Sequence, residues 1–215
     1  MRRWLGPLLA LWLLFPWLVF PEPSRAAPVQ EAVFAGGCFW CLEHDLETLP
    51  GVLSVESGYS GGTLAQPSYR QVSAGGTGHQ ESVLVRFDPD RLSYASLLRA
   101  YWRNIDPLDG GGQFCDRGDS YRPVIFTKGE SQAALARASS ESAARKLKLS
   151  PSSLAVQIKP LERFWKAEEY HQDYAKRNRI RYSYYRWACG RDQRLREVWG
   201  GTGSVSALDP TPFPA

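Results

Sequence analysis

A cysteine that follows a strand and two glycines, at the first residues of a helix, is placed for nucleophilic chemistry. Cys38 has that placement in Ala35-Gly36-Gly37-Cys38-Phe39-Trp40-Cys41. Orphan backbone N–H groups and the dipole at a helix start favour an anion. A thiol there is expected to ionise more readily than a free cysteine, whose pKa is about 8.5. The glycines let a second molecule come close to the sulfur. The plainer alternative is a small buried hydrophobe.

Cys41 completes a Cys-x-x-Cys with Cys38, the pattern of a redox couple or of half a metal site. Cys115 and Cys189 are isolated, and His44, His79 and His171 are dispersed, so no metal is expected. Phe39 and Trp40, between the two thiols, offer an apolar wall for a small apolar group. Their alternative is to face the core.

Glu81 is the second chemical candidate. On an extended segment His79, Glu81, Val83, Val85 and Phe87 share one face, and Gln80, Ser82, Leu84 and Arg86 share the other. Glu81 is on the apolar face. A carboxyl facing a core without a cation stays protonated. A neutral acid can deliver a proton at neutral pH. If the strand end frays, Glu81 is simply solvated. Tyr59, Asp116 and Tyr121 sit in or beside glycine-bearing turns, where each alone reads as a surface turn residue. Phosphate-loop, dinucleotide, zinc-protease and serine-hydrolase motifs are missing from the sequence.

These residues need elements to hold them. Apolar patterning predicts strands over Glu31–Ala35, Val52–Tyr59, His79–Asp88, Pro123–Thr127 and Leu154–Pro160. Helices are expected over Cys38–Leu49, from a Ser93 cap to about Asn104, over Glu130–Leu149 and over Ala167–Arg179. Ser60–Gly78 reads as polar and glycine-rich, with one helical turn around Tyr69–Val72, and Ile105–Arg122 as a long loop. Strands alternating with helices predict a sheet covered by helices.

The chain has 215 residues, enough for one domain with a real core. Its 26 basic and 22 acidic side chains are scattered, which argues against a nucleic-acid partner. Residues 1–26 read as a secretory signal peptide: Arg2 and Arg3, an uncharged run from Trp4 to Phe20, then Ser24-Arg25-Ala26 as a cleavage site. An uncleaved membrane anchor is the alternative, although Pro7 and Pro16 interrupt the run, which falls short of the ~20 residues that span a bilayer. A domain over 27–200 and a disordered Gly/Ser/Pro-rich tail over 201–215 are expected.

Several of these segments together resemble the class A methionine sulfoxide reductases. The matching pieces are Ala35-Gly36-Gly37-Cys38-Phe39-Trp40, Gly58-Tyr59-Ser60-Gly61-Gly62, Tyr69-Arg70-Gln71-Val72, Gly78-His79-Gln80-Glu81-Ser82-Val83, Asn104-Ile105-Asp106-Pro107, and Asp116-Arg117-Gly118 followed by Tyr121-Arg122. They occur in the family's order between about Glu31 and Tyr174. The resemblance implies a two-layer α+β sandwich with a mixed sheet and a ferredoxin-like core. It implies that Cys38 attacks the sulfoxide sulfur and that Glu81 gives a proton to the oxygen. The hydroxyls of Tyr59 and Tyr121 would bind that oxygen. Phe39 and Trp40 would hold the substrate methyl, and Asp116 would position the bound residue. The implied substrate is the S epimer of methionine sulfoxide, free or in oxidised proteins and peptides.

Attack leaves a sulfenic acid that condenses with a second thiol. Cys41 stands where many relatives have glycine, so the resolving residue is open. Cys189, in an expected mobile tail, ranks first; Cys41, near but rigidly held, ranks second; Cys115 ranks third. No bound cofactor is implied. An external dithiol, thioredoxin-like and in the periplasm, would restore the enzyme, acting on a monomer. Two rival readings are an exported thiol–disulfide oxidoreductase using Cys38 and Cys41, and a disulfide-stapled binding module.

Overall fold

The structure, a computed structural model, describes residues 27–200. The expected signal peptide and disordered tail lie outside the described residues. Among the described residues no helix is long and apolar enough to cross a membrane.

The chain runs β1 (Gln30–Ala35), α1 (Phe39–Glu47), β2 (Val52–Ser60), α2 (Tyr69–Ser73), β3 (Gln80–Phe87), α3 (Tyr94–Arg103), β4 (Gly112–Gln113), β5 (Asp116–Arg117), β6 (Val124–Thr127), α4 (Gly129–Leu147), β7 (Gln157–Pro160), β8 (Phe164–Lys166), α5 (Tyr174–Arg177), α6 (Arg179–Ala188) and α7 (Arg191–Trp199). Six strands form one sheet in the order β7-β6-β1-β3-β2-β8, and β4 and β5 make a separate hairpin. Only β6 and β7 pair in parallel, so the sheet is mixed and the class is α+β.

Period-two alternation divides the strand side chains between the two faces. Ala32, Phe34, Val83, Val85, Phe87 and Ile125 join the main core with helix residues such as Leu42, Leu46, Leu97, Leu98 and Tyr101. Val33, Ala35, Leu84, Val124 and Phe126 form a smaller cluster on the other face, backed by Leu161 and Phe164. Full burial of an aliphatic or Phe side chain contributes about 1.5–3 kcal/mol, so the helical face dominates stability. Ser93 caps α3 as expected, its side chain accepting the Ser96 N–H at 3.1 Å.

The C-terminal third departs from expectation. A helix over Ala167–Arg179 does not form. A short turn at Glu169–His171 leads to extended Gln172 and left-handed Asp173, and only then to α5 and α6. The cause is side-chain competition for the backbone. Buried Gln172 accepts the Ser57 N–H and donates to the Ser57 and Ala167 carbonyls, acting as an extra rung beside β2. β8 was not expected from the sequence; it pairs with β2 where Gly58 leaves no room for a side chain, since a Cβ there would lie 2.3 Å from the Phe164 ring. The stretch after Arg179 is also ordered. Leu195, Trp199 and Arg191 of α7 are buried, and Trp199 donates to the Ile105 carbonyl at 3.0 Å.

Candidate active site

Cys38 is the N-cap residue of α1. Gly37 before it has φ +83°, and a Cβ there would fall 2.7 Å from Cβ of Gln113. The glycine therefore lets the start of α1 press against the β4–β5 hairpin. Its N–H donates to the Tyr121 carbonyl at 3.1 Å, which brings Tyr121 alongside.

Two carboxyl groups face the N–H groups at this helix start. Asp116 lies beside the N–H of Cys38, which works to lower its pKa. Glu81, on the α1-facing side of β3, accepts from the N–H of Phe39 at 3.0 Å. Glu81 is buried, and burial pushes its pKa up to about 8 despite the Phe39 N–H, with the Asp116 charge adding to the rise. It is a neutral acid at pH 7, as its place on the apolar face predicted. Burial likewise raises Asp116, against the Tyr185 hydroxyl, which donates to it at 2.6 Å, and the Arg191 charge.

The expected easy ionisation of Cys38 is not found. The helix-start N–H groups already serve Asp116 and Glu81, and the residue is only 6% exposed. Burial, the hydrogen bond with Cys41, and the charges of Cys41, Glu81 and Asp116 push the Cys38 thiol well up. The lowering falls on its neighbour. The hydrogen bond from Cys38, then the positive charges of Arg191 and Arg186, bring Cys41 down to about 7 against its own burial. The two thiols therefore titrate as one hydrogen-bonded pair, which the Arg191 and Arg186 charges favour in its singly ionised form. Both thiols are free and buried.

The tyrosines divide differently from expectation. Tyr59 is fully buried, and its hydroxyl donates to Glu168 at 2.8 Å. The second oxygen of Glu168 accepts the Tyr69 N–H, also at 2.8 Å. Burial works against ionisation of Glu168, but these donors together hold its carboxyl low. Tyr69 is the phenol that reaches the site. Its hydroxyl lies close enough to Tyr121 for that side chain to work against the rise in its pKa. Burial, then the nearby Glu81 and Cys38 charges, raise it to about 12. Tyr121 is raised further by burial and by Glu81. The sequence placed Tyr69 on a helical turn and in one of the pieces that carry the resemblance, without a role, and nothing in the local pattern turns its ring inward.

Phe39 is buried, with its ring 4.9 Å from His171 and 5.9 Å from Tyr59, so it serves the core as well as the site. Trp40 is half-buried and stacks on Tyr174 at 3.6 Å, while its Nε1 donates to His171 Nδ1 at 3.1 Å. That contact needs an unprotonated Nδ1, and burial keeps the His171 pKa below its usual value. Glu168, His171, Tyr185 and Arg191 are support residues that sequence reasoning missed. They come from the C-terminal segment, which showed no periodic signal linking it to α1.

Cys189 is not on a mobile tail. It ends α6 and is disulfide-bonded to Cys115 at the tip of the β4–β5 hairpin, with Cα atoms 4.9 Å apart.

Comparison with known proteins shows the family of the chain. Residues 30–202 match the profile of the family described as peptide methionine sulfoxide reductase. A Caulobacter vibrioides peptide methionine sulfoxide reductase is 55% identical over 180 residues, covering 83% of this chain and 90% of its own. A Rhizobium meliloti relative of the same name is 48% identical over 191 residues, covering 87% and 94%. Among solved structures, methionine sulfoxide reductase A of Corynebacterium diphtheriae superposes with TM-score 0.66 at 31% identity, over 71% of this chain and 76% of its own. With the match running through both the Cys38–Cys41 segment and Glu81, the chain belongs to the peptide methionine sulfoxide reductase family, oxidoreductases that use thiols to reduce methionine sulfoxide to methionine.

Proposed function

We propose that Cys38 attacks the sulfoxide sulfur while Glu81 protonates the oxygen. The observation that carries this reading is the neutral Glu81 carboxyl held on the N–H next to Cys38. As Cys38 attacks, its proton passes to the Cys41 thiolate with which it is hydrogen-bonded. Attack forms a bond between the Cys38 sulfur and the substrate sulfur; the protonated oxygen then passes to the Cys38 sulfur as the substrate S–O bond and the new S–S bond break, so methionine leaves and Cys38 is a sulfenic acid. The substrate sulfur gains the two electrons that the Cys38 sulfur loses. Tyr69 and Tyr121 donate to the oxygen as charge develops on it. Trp40 and Phe39 flank the substrate methyl. Asp116 holds the Cys38 backbone in place.

The residue that resolves the sulfenic acid is Cys41. It is free and already bonded to Cys38, whereas Cys189, the first choice from sequence, is held by Cys115. Its attack forms Cys38–Cys41 and releases water. A thioredoxin-like dithiol then returns the pair to thiols. The substrate is the S epimer, free or in oxidised proteins. Export supports the repair of exported proteins, with the leader cleaved near Ala26 and the mature protein a periplasmic monomer; a retained leader would anchor it instead.

Methionine formation from each epimer with dithiothreitol tests the reaction. Glu81→Gln should slow it by about 10²–10⁴ while leaving Cys38 open to alkylation. A rate unchanged in Glu81→Gln rejects the acid role.

A further inference from the structure

Helix α7 is seated on one stretch of chain. Arg191 donates to the Asn104 carbonyl at 2.5 Å, Trp199 to the Ile105 carbonyl at 3.0 Å, and Arg194 to Asp106 at 2.7 Å. Gln113 binds both the N–H and the carbonyl of Asp106 at 2.8 Å, which ties that stretch to the β4–β5 hairpin. The two arginines differ. Arg194 is 43% exposed, and its charge is matched by Asp106. Arg191 is 2% exposed and meets three elements at once. Its Nη1 lies 3.7 Å from where a Cβ on Gly37 would stand, its guanidinium carbon 4.4 Å from the centre of the Phe114 ring, and its Nε 3.8 Å from Asp45. Gly37 leads into Cys38, Phe114 is at the hairpin tip, and Asp45 is on α1, one turn past Cys41.

The Nε of Arg191 has no hydrogen-bond partner among the described residues. Asp45 is engaged elsewhere: Arg186 donates to both of its oxygens, at 2.8 and 3.0 Å, and to Asp192 at 2.7 Å. A buried cation without a hydrogen-bonded anion is costly, so it persists where an anion faces it. The Arg191 charge acts on Cys41 and on Asp116. Glu81 of β3, Asp116 of the hairpin and Asp45 of α1 all oppose a charge on the thiol pair. Tyr69 and Tyr121 border Cys38, Tyr182 borders Cys41 and Tyr185 borders both; burial pushes all four up, so they remain neutral phenols. Arg186 and Arg191 favour the thiol charge, and Arg191 alone of the two does so without a hydrogen-bonded carboxylate.

We propose that Arg191 is a positioning residue for the reaction: it locks the Gly37–Cys38 turn and α1 against the β4–β5 hairpin and turns an unmatched positive charge toward the Cys38–Cys41 pair. It acts through Cys41. This rests on the reading above, in which the singly charged pair accepts the Cys38 proton at Cys41. Without the guanidinium, three carboxyls face the pair with no free cation to offset them, so the thiols stay neutral to higher pH. The reaction then starts with its proton acceptor already filled.

The test follows kcat/KM against pH with dithiothreitol on the full chain. Arg191→Gln keeps a donor for the Asn104 carbonyl and removes the charge. Its acid limb should move up by about one pH unit or more, which lowers the rate at pH 6 about tenfold. The alkaline limb, set by Glu81, should stay in place. Arg191→Lys restores the charge and should return the acid limb toward wild type. A purely structural brace would instead lower activity evenly across pH, with Lys and Gln alike. That result, or an unchanged profile in Arg191→Gln, overturns the proposal. Wild-type protein gives a second readout that needs no folded variant. With ¹⁵N-labelled arginine, the Arg191 Nε resonance should shift with the same midpoint as the acid limb. A resonance flat through that range overturns the proposal as well. The spectrum is read without turnover, so methionine formed by Cys38→Ser would sink the reading above while the resonance still decides on Arg191.

Discussion

The Glu81 carboxyl accepts the backbone N–H of Phe39 at 3.0 Å, one residue past Cys38. This contact places an acid beside Cys38 and takes up an N–H that would otherwise favour a thiolate. Burial still wins over that hydrogen bond and keeps Glu81 protonated to about pH 8. The helix start therefore positions the acid, and the thiol charge is shared by the Cys38–Cys41 pair.

The pH profile of kcat/KM follows from these two groups. In the proposed mechanism the active form has Glu81 protonated and the thiol pair carrying one charge. Activity should fall as pH rises through about 8, where Glu81 loses its proton, and as pH falls through about 7, where Cys41 gains one. Stopped-time assays from pH 5 to 10 would show the narrow bell. A flat profile above pH 8 would remove Glu81 as the acid.

The tyrosine pair gives a second expectation. Tyr69→Phe and Tyr121→Phe should each slow reduction by roughly 10–10³, as for loss of a donor to a developing oxyanion. Tyr59→Phe should leave kcat within about threefold and instead cost about 1.5–3 kcal/mol of stability, because Glu168 loses a donor. Parallel kinetics and urea melts separate these outcomes. A larger kinetic loss in Tyr59→Phe than in Tyr69→Phe would reverse the assignment.

Disulfide mapping should find one new bond after substrate is added without reductant. Cys38 and Cys41 peptides should be joined, and Cys115 and Cys189 should remain joined to each other. A Cys38–Cys189 link would restore the tail thiol as the resolving group.

Glu43, also on α1, gives a stability test separate from catalysis. It is 2% exposed, and burial raises it to about 7, although the Asp173 N–H donates to it at 3.1 Å. Its folded pKa exceeds the unfolded one. Its stability contribution is complete below the unfolded value of 4.5 and is lost as pH climbs through 7. Glu43→Gln keeps an acceptor for Asp173 and never ionises. Its melting temperature relative to wild type should rise between pH 5 and 8, at about 2–4 °C per kcal/mol. A pH-independent gap would show that the folded and unfolded pKa values of Glu43 coincide, contrary to the effect of its burial.

Much of this site was legible because its residues obey local rules. Period-two alternation put Glu81 on the face with Val83 and Val85, and burial made it an acid. The two glycines marked the start of α1 with Cys38 as its cap. What was not legible depends on distant partners. No spacing says that Tyr69 meets Tyr121 or that Tyr59 meets Glu168, 109 positions away. The Cys38 ionisation was misjudged because the N–H groups expected to stabilise it face Asp116 and Glu81. Cys189 was expected to be mobile because the anchors of its segment, Arg191 to the Asn104 carbonyl and Cys189 to Cys115, are visible only in three dimensions.

The most direct test is a single turnover of Cys41→Ser with methionine sulfoxide, without reductant and with dimedone present. The variant should release at most one methionine per chain, more slowly than wild type, and the label should lie on Cys38 alone. Cys38→Ser should release none. Label on another cysteine, or methionine formed by Cys38→Ser, would contradict Cys38 as the attacking sulfur.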